Sequence, residues 1–222
     1  MRYLDLLTAL FATVLLVSNV ASTKLVVLGP FTFDGGTLLF PLAYIFGDVL
    51  TEVYGYRKSR RVIWIGFFAL LLATLTFQAV AHLPAPPDAE SQRFGEAFGL
   101  LLGLTPRIVL GSLLAYFLGE FANAYVLAKL KVRTEGRFFW LRDLASTLVG
   151  QGLDTGVFLL VAFYGVFPKE VLLAVFLSNY AFKLGVEALM LPFTYAVVGF
   201  LKRAEGMDAY DRDTDFNPFR LT

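Results

Sequence analysis

Residues 142–158 read Arg-Asp-Leu-Ala-Ser-Thr-Leu-Val-Gly-Gln-Gly-Leu-Asp-Thr-Gly-Val-Phe and run directly into the apolar segment 159–163. In a helix, steps of three and four residues bring side chains back to one face. The polar stripe formed in this way consists of Asp143, Thr147, Gln151, Asp154 and Phe158. Because a carboxylate facing hydrocarbon is costly, the stripe must face protein or a water-filled cavity. It therefore predicts one wall of a solute site. The alternative is helix–helix packing through small residues and Gln151, which accounts poorly for Asp154.

The composition indicates an all-α integral membrane protein. The 222 residues are 57% hydrophobic with a mean hydropathy of +0.67, and a soluble domain of this size needs more polar surface. The absence of Cys excludes disulfides, thiolate metal sites and cysteine nucleophiles, and the single His82 excludes a His-rich metal site. We find no zinc pair, Ser–His arrangement or phosphate-cradling loop, so neither an enzyme nor a bound cofactor or metal is expected.

Hydrophobic runs predict a single domain of six transmembrane helices. The expected spans are 4–20, 37–54, 62–81, 106–127, 139–163 and 171–201. Between the first two, β-branched and aromatic runs flank a Gly29-Pro30 turn and predict a short extracytoplasmic β-hairpin or cap. Residues 56–61 are expected to form a basic loop, and residues 94–104 a short amphipathic or re-entrant helix. The polar segment 202–222 is expected to be a partly disordered cytoplasmic tail.

The basic residues predict the orientation of the bundle. With six spans, fourteen of the 19 Lys and Arg fall on one side of the membrane, in four groups: Arg2, 57–61, 129–142 and the tail. The positive-inside rule then places both termini of the multi-pass protein in the cytoplasm.

Charged residues inside the predicted spans are candidates for function. They are Asp48, Glu52, Glu120, Asp154, Lys183 and Glu187, with the neutral partners Asn19, Gln78, Asn123, Gln151 and Asn179. Asp48 and Glu52, one helical turn apart, form either an interfacial ion network or a gate or proton site. Lys183 either pairs with Glu187 on its own helix or neutralises Asp154 or Glu120 when the site is empty.

The residue types favour a flat solute that is neutral or weakly cationic. A carboxylate can accept from the adjacent N–H donors of a guanine-like edge, amides can pair with its carbonyl, and aromatic rings can stack on its face. An anionic solute would require Arg at mid-membrane depth, where none clearly lies. The candidate substrate residues are Asn19, Glu120, Asn123, Gln151, Asp154, Asn179 and Lys183, and the candidate gate or coupling residues are Asp48, Glu52 and Glu187. The expected partners are a small planar heterocycle and the lipid bilayer, not nucleic acid, and a homodimer is compatible with so small a bundle.

Three motifs resemble those of the queuosine precursor transporter family, within the vitamin uptake transporter group. The first is Ser18-Asn19-Val20-Ala21-Ser22-Thr23-Lys24. The second is Phe40-Pro41 with Tyr44, Asp48, Thr51-Glu52 and Tyr54-Gly55, followed by the basic segment. The third is Arg142 with Ser146-Thr147, Gly150-Gln151, Asp154-Thr155 and Phe158. With Asn179-Tyr180 and Lys183, the resemblance covers most of the chain.

The resemblance implies uptake of a queuosine precursor for tRNA modification. The solute would be the nucleobase 7-cyano-7-deazaguanine or its 7-aminomethyl relative, carried across the bacterial inner membrane. It also implies a six-helix fold similar to the substrate-binding subunits of energy-coupling-factor importers. By this carry-over Asn19, Gln151 and Asp154 would contact the base, with Glu120 and Lys183 as partners. The alternative is a substrate-capture subunit for a vitamin or nucleobase that requires a separate ATPase module.

Overall fold

A computed structural model of the chain describes residues 1–28, 31–103 and 106–220. Within these ranges most of the chain is helical. The helices are α1 (Leu4–Ala21), α2 (Phe40–Tyr54), α3 (Tyr56–Ala81), α4 (Ala89–Leu102), α5 (Pro106–Arg133), α6 (Phe139–Phe163) and α7 (Lys169–Glu205). Strands β1 (Leu25–Leu28) and β2 (Phe31–Asp34) pair antiparallel, and a 3-10 turn at Gly35–Leu38 leads from them into α2. The predicted Gly29-Pro30 turn lies outside the described residues.

Five of the described helices are long and apolar enough to cross a membrane: α1, α3, α5, α6 and α7. Their outer faces carry exposed apolar side chains, for example Leu72 and Leu189, which are 69% and 78% exposed. A surface of this kind suits a lipid environment, where apolar side chains need no cover. The protein is therefore a helical, multi-pass membrane protein.

Helix α2 is the shortest of the helices that form the core. It corresponds to the predicted second span, but its 15 residues extend only about 22 Å. Most of the apolar side chains in its second half are buried, Val49 and Val53 among them, whereas Leu42 near its start is 37% exposed. It packs against α1, α3, α5 and α7. Because α2 is enclosed in this way, its acidic side chains can avoid lipid altogether.

Helices α5 and α6 approach each other closely along a seam of glycines. A Cβ atom on Gly119 would lie 2.8 Å from the Asp154 Cβ and 3.0 Å from the Gly150 carbonyl oxygen. A Cβ on Gly150 would lie 2.8 Å from the Asn123 Cβ. Small residues at a helix interface allow such a close approach. The seam also aligns Asn123 and Asp154 on facing helices.

Several predicted boundaries differ from the structure at the basic end of the bundle. The segment 56–61 is helical, because Gly55 alone, with φ of +83°, separates α2 from α3. Only glycine adopts such a conformation without strain. Helix α5 extends to Arg133, so Lys131 lies on a helix and is buried.

The expectation that the tail is partly disordered is wrong for its described part. The Asp211 carboxylate accepts from the Tyr56 backbone N–H at 2.9 Å. The Arg60 guanidinium donates to the carbonyls of Asp215 and Asn217 at 2.9 and 2.6 Å. The Trp64 indole N–H donates to the Pro218 carbonyl at 2.8 Å. These bonds hold the tail along the start of α3. The loop that the sequence predicts at residues 56–61 would not offer this helical surface to the tail.

Candidate functional site

Polar side chains inside the bundle form three layers along helices α2, α5, α6 and α7. We call them the ion-pair layer (Asp154, Lys183, Thr155 and Glu120), the acid triad (Asp48, Asp143 and Glu187) and the carboxylate hub (Glu52, Arg142, Lys131, Lys202 and Asp208). Asp143 and Asp154 are eleven residues apart, which is about 16 Å along α6. The ion-pair layer and the acid triad are therefore separate sites. The acid triad lies between the ion-pair layer and the carboxylate hub.

The ion-pair layer joins α6 to α7. Lys183 Nζ donates to Asp154 Oδ2 at 2.8 Å and to the Thr155 hydroxyl at 3.2 Å. Of the two arrangements predicted for Lys183, the structure has the pair with Asp154. The side chains of Lys183 and Asp154 are 17% and 31% exposed, so the pair is only partly enclosed by the protein. On α5, Glu120 Oε2 lies opposite Gly47, where a Cβ would be 3.3 Å away.

The acid triad brings one carboxyl from each of α2, α6 and α7 into contact. One oxygen of each of the three lies within 4.8 Å of the others, and all three residues are buried. Two unit charges at this separation repel by about 3–4 kcal/mol at an effective dielectric constant near 20. Ionisation of all three groups is therefore strongly disfavoured unless a cation is bound between them, and binding of a proton removes one of the charges.

Buried acceptor atoms near the triad have no hydrogen-bond donor among the described residues. They are Asp48 Oδ2, both oxygens of Asp143, Glu187 Oε1, Thr147 Oγ1, Gln151 Oε1 and Asn123 Oδ1. The Asn123 amide N–H does donate, to Asp48 Oδ1 at 2.8 Å, and this bond fixes the amide beside the triad. A buried polar group without a partner costs about 1–3 kcal/mol. The arrangement is thus a buried cluster of acceptors that additional donors or positive charge would stabilise.

The carboxylate hub engages the cations nearest to the triad. Arg142 donates to Glu52 through two bonds of 2.6 and 3.3 Å, and Lys202 Nζ donates to Glu52 at 2.7 Å. Lys131 donates to the Glu52 carbonyl oxygen and to Asp208, and its Nζ is 3.5 Å from Glu52 Oε1. Arg142 also donates to carbonyls of the loop before α6. One glutamate therefore links four helices.

Asp208 connects the hub to the tail. Lys131 and Lys202 both form ion pairs with its carboxylate. Burial alone would raise the pKa of Asp208, but hydrogen bonds from the two lysines outweigh it and lower the pKa below the ordinary value of 3.8. Asp208 therefore stays ionised at neutral pH and holds the residues after α7 against the bundle.

The structure separates some of the sequence-predicted site residues from the three layers. Glu120, Asn123, Gln151, Asp154, Lys183, Asp48, Glu187 and Glu52 all lie in or beside them. Asn19 is exposed, and its amide N–H donates to the Leu15 carbonyl beside a 120 Å³ apolar cavity between α1, α3 and α4. Asn179 is exposed on α7.

Sequence reasoning placed Asp143 and Thr147 on the predicted wall of a solute site but did not name them among the candidate substrate or gate residues. Asp143 is fully buried in the acid triad, and the Thr147 hydroxyl, one turn away, is among the acceptors without a donor. The signal was available, since both residues belong to the polar stripe of 142–158. The stripe did not single them out, because spacing along one helix does not show that α2 and α7 also place acids at the level of Asp143.

Comparisons with known proteins identify relatives over most of the chain. The family model described as "Putative vitamin uptake transporter" matches residues 34–197. The "Probable queuosine precursor transporter" of Bacillus subtilis (strain 168) is 36% identical over 188 residues, covering 84% of this chain and 80% of the relative. The "Queuosine precursor transporter" of Escherichia coli (strain K12) is 27% identical over 168 residues, covering 73% and 71% of the two chains.

No solved structure matches significantly, so the fold has no experimental counterpart among these comparisons. The matched region contains all of α2, α3, α5 and α6 and the part of α7 that carries the ion pair and the acid triad. The relatives are named transporters, not enzymes. The chain thus belongs to the vitamin uptake transporter family, and its relatives there carry the name queuosine precursor transporter.

Proposed function

We propose that this protein imports a queuosine precursor across the bacterial inner membrane for tRNA modification. The solute is 7-cyano-7-deazaguanine or 7-aminomethyl-7-deazaguanine, and the support is the name carried by relatives that align over most of the chain. The structural observation that carries the proposal is the set of buried acceptors without donors on α5 and α6. A guanine-like base presents adjacent N–H donors that would satisfy them.

The proposed base site lies between the ion-pair layer and the acceptors of Asn123 and Gln151. Gln151 is one turn from Asp154 on the same face of α6, and its side-chain oxygen has no donor among the described residues. Asp154 accepts from the base, and Lys183 moves from Asp154 to the carbonyl of the base or to Glu120. Such an exchange keeps every charge compensated as the solute enters. We leave the exposed Asn19 and Asn179 outside this site.

The proposed topology has six crossings with both termini in the cytoplasm. Helix α2, continued by the Gly35–Leu38 turn, provides the crossing that is too short to qualify by length alone. The paired strands β1 and β2 then form an extracytoplasmic cap, and the carboxylate hub lies at the cytoplasmic end, where the positive-inside rule places basic residues. We also propose that this fold is similar to that of energy-coupling-factor substrate-binding subunits. We further propose that the protein associates into homodimers.

Substitution of Asp154 tests the base site. Asp154→Asn removes the charge while preserving shape, and the loss of a charge-assisted bond should weaken base binding by roughly 10–100-fold. Binding of 7-cyano-7-deazaguanine to purified protein would be measured by calorimetry, with thermal unfolding as a check on folding. Asp5→Asn, on the exposed first turn of α1, is the matched control. Unchanged affinity in the Asp154 variant would exclude this residue from the site.

Reconstitution tests whether the protein transports alone. Liposomes that contain only this chain are expected to take up the radiolabelled base, since the relatives are named transporters over their matched length. Uptake that appears only after addition of an ATPase module would favour the substrate-capture subunit instead. Absence of both binding and uptake for either deazaguanine would refute the proposed substrate class.

A further inference from the structure

We propose that the acid triad of Asp48, Asp143 and Glu187 is a proton-binding site that couples uptake of the base to the proton gradient. The inference rests on the proposed function and adds its driving ion. In each cycle a proton binds to a carboxylate oxygen of the triad from the outer side and leaves toward the cytoplasm. No covalent bond in the solute is changed.

The positive charge around the acid triad does not match its three carboxyl groups. Arg142, adjacent to Asp143 in sequence, is committed to Glu52 and to loop carbonyls. The charged and polar groups around the triad are Tyr44, Glu52, Asn123, Glu120 and Arg142. The nearby cations are both engaged elsewhere, Arg142 by Glu52 and Lys183, one turn from Glu187, by Asp154. Three buried carboxylates beside two further acids therefore require additional positive charge. A proton is the smallest cation that the enclosed space can accept.

The three carboxyl groups of the acid triad lie close to one another. One oxygen of each of the three carboxyl groups lies within 4.8 Å of the others, and two carboxyl groups can share a hydrogen bond only when one of them carries a proton. Asp48 is further fixed by the Asn123 amide. The unpartnered Thr147 hydroxyl, 1% exposed, lies one turn from Asp143 and can relay a proton to it. A proton bound among these oxygens would supply a hydrogen-bond donor that the described residues do not provide.

The acid triad joins three helices and lies next to the proposed base site. Each acid belongs to a different helix, so a shared proton holds α2, α6 and α7 together, and its loss replaces attraction by repulsion. On α7, Glu187 is one turn from Lys183 of the proposed base site. Movement of Lys183 as the base enters therefore changes the potential at Glu187. This link supplies the coupling: the base and the proton act on the same helices from adjacent layers.

The wild-type protein provides the first test. Proteoliposomes with an alkaline interior would be given radiolabelled 7-cyano-7-deazaguanine, with pyranine inside to report proton entry. One proton per base and one pH unit support about tenfold accumulation. We expect accumulation that collapses with a protonophore and acidification of the interior as the base enters. Accumulation driven by a sodium gradient without a pH gradient, or no response to either gradient, would overturn the proposal.

The second test uses Glu187→Gln, which keeps a hydrogen-bonding side chain that cannot release a proton. We expect pH-driven accumulation to fall to the level of empty liposomes, while exchange of external for internal base continues. Glu170→Gln, an exposed acid on the first turn of α7, is the matched control and should accumulate normally. Undiminished accumulation by Glu187→Gln would refute a coupling role. Absence of base exchange in the wild type would instead refute the proposed function, so the two failures are distinguishable.

Discussion

The glycine seam between α5 and α6 allows a quantitative prediction about stability. In Gly119→Ala the new methyl carbon would lie 2.8 Å from the Asp154 Cβ and 3.0 Å from the Gly150 carbonyl oxygen, both of which belong to a neighbouring helix. Carbon atoms in contact are normally about 3.5–4.0 Å apart, so the helices must separate by roughly 1 Å. Overpacking of this kind costs about 1–3 kcal/mol, which for a chain of this length lowers the unfolding midpoint by roughly 2–12 °C.

The measurement is thermal unfolding of purified protein in detergent. Gly199→Ala is the matched control, because a Cβ at Gly199 on α7 meets nothing within 4 Å. Only Gly119→Ala should also weaken base binding, since the displaced backbone carries Asp154. Equal midpoints for the two variants would show that α5 and α6 do not approach as closely as described and would remove the basis for aligning Asn123 with Asp154.

Three further predictions concern the basic end of the bundle. Glu52→Gln should destabilise the protein by about 3–5 kcal/mol in the same unfolding assay, because it leaves Arg142 buried without a counter-charge; a midpoint equal to the wild type would contradict the hub. Because the pKa of Asp208 is lower in the folded than in the unfolded chain, its contribution is present above the ordinary value of 3.8 and is lost as the pH falls through the folded value. Asp208→Asn should therefore lose less stability than the wild type on acidification, and an equal loss would refute the assignment. Arg60→Ala should release the tail and accelerate trypsin cleavage at Arg212, and unchanged cleavage would show that the carbonyl contacts do not hold it.

The membrane fold could be predicted from the sequence because each long helix is defined by its own apolar run. Local patterns placed α6 at its observed bounds and identified the transporter class from polar residues at helical spacing. The start of α3 could not be predicted in this way. A run of four basic residues at 57–61 resembles a solvated loop, but Arg60 is buried beneath the tail, and that contact is more than 150 residues distant in sequence.

The candidate site was predictable only in part, for a physical reason. Helical periodicity indicates which residues share a face, but not how deep a neighbouring helix encloses that face. Asp154 was assigned by its depth in the span, and its pairing with Lys183 was one of two alternatives that spacing alone left open. Asp143 required knowledge that α2 and α7 both contribute acids at its level, a tertiary fact that no single helix contains.

Adjacent residues Arg142 and Asp143 show how the layering separates two functions along one helix. Successive residues point about 100° apart, so one side chain turns toward the hub and the other toward the triad. If Arg142 paired with Asp143 instead of Glu52, a permanent counter-charge would hold that carboxyl group ionised and oppose its protonation. Glu52 therefore does more than stabilise the basic end: by binding Arg142 and Lys202 it withholds them from the acids one turn deeper. An acid layer without its own counter-ion is the condition that proton coupling requires, and the hub maintains it.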